Sequence, residues 1–111
     1  MTANWNVVKL LDVLAARGEH PAVIASGEDV VSVWDCETLA SMALRLAWGL
    51  RERGVEKGVP VALWAPNSPT WIAVALAILA AGGVLVPLDD LADPAQIDAA
   101  LELSGARLLF T

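Results

Sequence analysis

Residues 61–89 read VALWAPNSPTWIAVALAILAAGGVLVPLD. An apolar tetrad leads into a Pro-Asn-Ser-Pro turn and a long apolar run, which breaks at Gly82 and Gly83 and resumes in β-branched residues. That order predicts strand, turn, helix and strand. Ser68 before Pro69 marks the helix start, because the serine hydroxyl accepts from a free first-turn amide and proline supplies a preset φ where no amide is needed. The spacing predicts a helix over 69–81. From Trp71 to Leu88 the chain carries no charge, and that run reaches the lower length limit for a membrane span. The glycine pair and Pro87 divide it instead into a buried helix and a buried strand, so no membrane span is expected.

Upstream, residues 4–17 place Val7, Leu10, Leu11 and Leu14 at helical spacing, with Gly18 as the stop. This reads as a docking helix. PAVIAS (21–26) and VVSVW (30–34) flank Gly27, Glu28 and Asp29, which predicts a β-hairpin. Asp35 can cap the next helix, whose apolar stripe is Leu39, Met42, Ala43, Leu46, Ala47 and Leu50. Gly54 ends it, with Val55 placed to fold back on the last turn. GVEKG (54–58) leads through Pro60 into the strand VALW, where a first-position proline forfeits no needed hydrogen bond. Downstream, Asp93 and Pro94 open a helix with Ile97, Ala100 and Leu101 inward; Gly105 ends it, and residues 107–110 form a closing strand.

VALW, VLVP and RLLF are apolar throughout rather than alternating, the pattern of parallel strands covered on both faces. Each pair is separated by a helix. The expected fold is therefore α/β and three-layered: a parallel β-α-β-α-β core with an N-terminal helix, a β-hairpin and a long packing helix around it. Residues 1–111 read as one domain.

Thirteen acidic against seven basic residues give a formal charge of -6, which argues against nucleic acid as a partner, since phosphate binding needs clustered Lys and Arg. Arg45, Arg51, Arg53 and Lys57 form the single loose basic cluster and read as a solvated helix face near a C-terminus, where cations suit the dipole. The N-terminus shows no secretory pattern. Cys36 is the sole cysteine, which excludes an internal disulfide and fits a reducing compartment; the expected location is cytoplasmic.

In open parallel sheets ligands bind beyond the carboxyl ends of the strands, here Ala65 to Ser68, Leu88 to Asp90, and Thr111. A dinucleotide site would need glycines at the first of these turns, and Ala65, Pro66, Asn67, Ser68 and Pro69 stand there instead. A flavodoxin-like or nucleotide-binding reading therefore lacks its loop. Asp89 and Asp90 are two carboxylates without further oxygen ligands at metal spacing, and read as a solvated strand end. His20 lacks a spaced partner. Cys36 lies in a first helical turn, where a thiol can acidify, but no base or second thiol accompanies it. Trp5, Trp34, Trp48, Trp64 and Trp71 are scattered over five elements and are expected to be packing anchors rather than a stacking surface. No catalytic, cofactor-binding or metal residue is assigned.

GVEKG at 54–58, PNSP at 66–69 and AGGVLVPLD at 81–89 together resemble the N-terminal part of the adenylate-forming superfamily, which includes AMP-forming acyl-CoA synthetases, adenylation domains of nonribosomal peptide synthetases, and luciferases. The likeness runs from the first helix through SGARLLFT at 104–111. It departs where the family's Thr-Tyr-x-Glu-Leu opening of the long helix meets Asp35, Cys36, Glu37, Thr38 and Leu39, and where Val59 and Pro60 replace the usual acidic residue before the strand. The resemblance implies a carboxylic acid activated by ATP with magnesium to an acyl adenylate, then captured by a thiol such as coenzyme A. The family's phosphate loop, metal-binding glutamate, ribose-binding aspartate and mobile lysine fall beyond Thr111. The expectation is thus the N-terminal portion of an AMP-forming acyl-CoA synthetase, inactive alone, with ATP, Mg and CoA belonging to the whole enzyme and its remaining subdomains as partners. The alternative is a self-associating interaction module, and a homo-oligomer is expected of the isolated portion.

Overall fold

The computed structural model describes residues 6–111. The elements are α1 (Val7–Arg17), β1 (Pro21–Ser26), β2 (Val31–Asp35), α2 (Cys36–Glu52), β3 (Pro60–Trp64), α3 (Pro69–Ala80), β4 (Val84–Leu88), α4 (Pro94–Ser104) and β5 (Leu108–Phe110). Trp5 and the first residues of the expected 4–17 helix lie outside the described residues.

Local chemistry sets the helix starts. Asn6, Asp35, Ser68 and Asp93 are extended N-caps whose side chains accept the amides of Lys9, Thr38, Trp71 and Gln96. Asp93 and Gln96 exchange bonds reciprocally as a capping box, and Pro94 follows directly. At the end of α2 the Val55 amide donates to Leu50 O at 3.0 Å, and the Val55 side chain is buried.

The Asp35 carboxylate accepts the Thr38 amide at 2.7 Å, and this bond holds its pKa below the usual carboxylate range. Since the folded pKa is the lower one, the charged cap stabilises the fold above the unfolded aspartate pKa and is lost as pH falls through about 4 and below. Asp35→Asn keeps an acceptor and removes the charge. Wild type is expected to melt above this variant at neutral pH, with the gap closing in acid. Thermal melts showing the same gap at both pH values would contradict the assignment.

β1 and β2 form an antiparallel hairpin with a bulge between Pro21 and Val23, and Gly27 N–H donates to Val30 O at 2.7 Å across the loop. β3, β4 and β5 form a separate parallel sheet in the order β4-β3-β5. The two crossovers step in opposite directions, so with the right-handed connections that parallel strands take, α3 and α4 fall on opposite faces. Pro87 is tolerated within β4 because β4 is an edge strand.

Coverage of the sheet differs from the expectation of strands buried on both faces. Val61, Ala62 and Leu63 of central β3 are buried, whereas Val84 on β4 is 50% and Leu109 on β5 is 38% exposed. Both are edge strands, and α4 contributes a single buried residue, Ile97. Ala100 and Leu101, expected to face inward, are half-buried.

The main core joins β3 to α3 and the end of α2, with Leu50, Val55, Leu63, Val74 and Ile78 at its centre. A second cluster seats Leu11 between Ala40 and Ala43, where small side chains on α2 let α1 approach closely. The docking-helix reading of α1 therefore holds, with Leu11 as its anchor and Leu10 on the exposed side.

The tryptophans correct the sequence reading. Trp48 is 70% exposed, while Trp34, Trp64 and Trp71 are half-buried and Trp71 packs at the rim of the main core. Trp48 stands beside Val8 and Leu44 on the outer surface of α1 and α2. Its helix is apolar over more of its circumference than the core can cover.

Candidate functional site

The order in which the chain lays down its parallel strands reverses at β3, which places the crevice where an α/β sheet would hold a ligand between β3 and β5, beyond Trp64 and Phe110. Ala65, Pro66, Asn67 and Thr111 border it, with Ser68 opening α3. Ser68 Oγ accepts the Trp71 amide at 3.0 Å and is thereby occupied as a cap. Pro69 offers no amide, and no lysine or arginine belongs to these turns.

At the end of β4, Asp89 Oδ1 accepts the Leu91 amide at 2.9 Å and Asp89 O accepts the Ala92 amide at 3.0 Å. The carboxylate closes the turn into α4, and Asp90 beside it is exposed. Among the described residues, no group of three or more His, Cys, Asp or Glu could hold a metal ion. These strand ends therefore offer no cationic partner to nucleotide phosphates, and Ser68 Oγ and Asp89 Oδ1 are each engaged by a backbone amide.

His20 is exposed, and its carbonyl accepts the Cys36 amide at 2.8 Å, which ties the start of β1 to the start of α2. Cys36 is 3% exposed, a packing position rather than an accessible nucleophile. Among the described residues no polar or charged residue is buried.

The two most specific motifs of the chain interlock instead. Gly58 N–H donates to Gly82 O at 2.9 Å and Val84 N–H to Val59 O at 2.8 Å, so the GVEKG loop lies against the glycine pair. A Cβ at Gly83 would stand 3.0 Å from Val59 O and 3.2 Å from Ile78 O, which is why glycine is needed there.

Sequence reading missed one feature. Arg45 and Arg53, taken only as part of a solvated face, border a groove between α2 and β5 that is floored by Leu46, Leu50, Leu108 and Phe110. Gly49 lies between them in sequence, and Arg53 is the C-cap just past the end of α2. The signal was the i, i+4, i+8 spacing of the three residues; the opposite wall comes from a distant strand.

A small doubly wound parallel sheet packed against helices defines a portion of an α/β fold. Residues 11–111 match the AMP-binding enzyme family, and the chain belongs to it. It is 42% identical over 73 residues to pyochelin synthetase PchE of Pseudomonas aeruginosa, covering 66% of this chain and 5% of that protein. It is 39% identical over 97 residues to 4-coumarate--CoA ligase-like 3 of Oryza sativa subsp. japonica, covering 86% of this chain and 16% of that protein. The fold superposes on the N-terminal subdomain of Klebsiella oxytoca NpsA with a TM-score of 0.82 at 26% identity, covering 96% of this chain and 27% of that one. The chain thus spans under a third of the length of each. Among the described residues no helix is long and apolar enough to cross a membrane.

Proposed function

We propose that this chain is the N-terminal scaffold of an adenylate-forming ligase, which activates a carboxylic acid with ATP to an acyl adenylate and transfers the acyl group to a thiol. The observation that carries this reading is the match over residues 11–111 to the AMP-binding enzymes, joined to the fold shared with the NpsA subdomain. The chain alone is expected to be inactive, because its strand ends offer neither phosphate nor metal partners. Its partners are the remaining subdomains of the enzyme, and its expected location is the cytoplasm. The acceptor reading follows two kinds of relative: the coumarate ligase-like protein supports coenzyme A, as in an AMP-forming acyl-CoA synthetase, and the peptide synthetases support a carrier-bound thiol.

Extending the polypeptide past Thr111 as its gene encodes it, and assaying acid-dependent pyrophosphate release with ATP and magnesium, tests the reading. Release over a panel of carboxylic acids supports it. An extended polypeptide that is folded yet releases none with any acid counts against it.

Self-association is a second reading, and one surface favours it. Ile24 pairs with Val33 across the hairpin, and with Val31 these residues are 68%, 56% and 65% exposed. Apolar patches of this kind tend to find partners. A dimer or larger species is expected by light scattering; a clean monomer at high concentration would exclude it.

A further inference from the structure

We propose that Asn67 is a site of spontaneous deamidation, at which the folded chain converts the asparagine of its PNSP turn into aspartate and isoaspartate. The reaction needs only water. The Ser68 backbone nitrogen, having lost its proton, attacks Asn67 Cγ and closes a succinimide ring; the Cγ–Nδ2 bond breaks, and Nδ2 takes up a proton and leaves as ammonia. Water then opens the ring at either carbonyl. One opening gives aspartate, and the other routes the main chain through Cβ and Cγ and gives isoaspartate.

The conditions for that attack meet at this turn. Asn67 and Ser68 are both exposed, so hydroxide and water reach them. Among the described residues the Asn67 side chain makes no hydrogen bond and the Ser68 N–H donates none, so neither reacting group has a partner to give up. Ser68 itself is anchored: its hydroxyl accepts the Trp71 amide at 3.0 Å, and Pro69 behind it favours the extended backbone seen there. Asn67 lies in the connecting turn, outside any helix or strand. A small serine follows it and leaves the attacking nitrogen open. The other asparagines lack this combination. Asn6 Oδ1 is held by the Lys9 amide at 2.9 Å and β-branched Val7 follows it, while Asn4 is followed by bulky Trp5.

The products change the rim of the crevice beyond β3, which Ala65, Pro66 and Asn67 border. Aspartate adds a carboxylate to a turn that contains no lysine or arginine. Isoaspartate lengthens the main chain by a methylene between Pro66 and the cap of α3, and would be a substrate for a methyltransferase that recognises isoaspartyl carboxylates.

The test uses the folded chain and does not depend on the ligase reading. The chain is incubated in mildly alkaline buffer made with oxygen-18 water, and its peptides are read by mass spectrometry with fragmentation that separates isoaspartate from aspartate. Both products are expected at residue 67, each carrying heavy oxygen and forming faster as pH rises, with Asn6 intact. Ser68→Thr keeps a hydroxyl cap and should slow the conversion severalfold, because β-branching crowds the attacking nitrogen. Asn67→Gln should suppress it, since the longer side chain closes a less favourable ring. Aspartate without isoaspartate would point to direct hydrolysis and overturn the proposal. So would products that form in the urea-unfolded chain but not in the folded one, or loss at Asn6 as fast as at Asn67.

Discussion

Leu63→Ala is expected to lower the unfolding free energy by about 2–5 kcal/mol, the cost of emptying a large buried site whose walls cannot fully collapse. Leu63 is 2% exposed on β3, the one strand among the described residues with a neighbour on each side. It stands level with Pro87 of β4 and Phe110 of β5 and faces the core built by α3. A domain of this size holds roughly 5–15 kcal/mol in total, so the loss is a large fraction of its stability. Urea titration followed by far-UV circular dichroism should show a lower midpoint at unchanged slope. Leu103→Ala, at a site 89% exposed, is the control and should move stability by no more than about 0.5 kcal/mol. Equal midpoints for the two variants would show that β3 is not the centre of the core.

Gly83→Val is the second large effect, and it acts through crowding. The new Cβ would meet Val59 O at 3.0 Å, Ile78 Cγ2 at 3.2 Å and Ile78 O at 3.2 Å, and two of these three are backbone atoms. Gly83 N–H also donates to Ile78 O at 2.9 Å, so the end of α3 cannot swing away without breaking that bond. Overpacking of this kind costs about 1–3 kcal/mol. Its neighbour adds a different constraint. Gly82 has φ of 92°, and a Cβ there would lie 3.3 Å from Lys57 Cα, so Gly82→Ala combines backbone strain with a close approach to the GVEKG loop. Gly49→Ala has the opposite expected sign, a gain of about 0.5–1 kcal/mol, because its helical site is open and glycine is entropically costly there. Denaturation midpoints for the three variants test the contrast; a stabilising Gly83→Val would refute the packing described for the glycine pair.

The features legible in the sequence are those fixed by neighbours a few residues away. Asp35, Ser68 and Asp93 were readable as caps because a cap depends on a side chain and an amide three residues on. Val55 was readable as the fold-back residue after Gly54 for the same reason. Parallel pairing followed from unbroken apolar strands separated by helices. What failed depends on distant neighbours. An apolar strand reads the same at the centre or the edge of a sheet, so the half-open faces of β4 and β5 were invisible. Trp48 was misjudged because α2 is apolar on more sides than the two clusters of the core occupy. The groove went unseen because Arg45 and Arg53 acquire an opposite wall only when β5 returns beside α2.

The ligase reading treats these residues as support for a reaction centre assembled elsewhere in the polypeptide. Calorimetric titration of the isolated chain with ATP and magnesium addresses that division most directly. A featureless titration is expected, since Ser68 caps α3, Asp89 closes the turn after β4 and no cation borders the strand ends. A saturable isotherm with micromolar Kd would contradict it and place nucleotide recognition within residues 1–111.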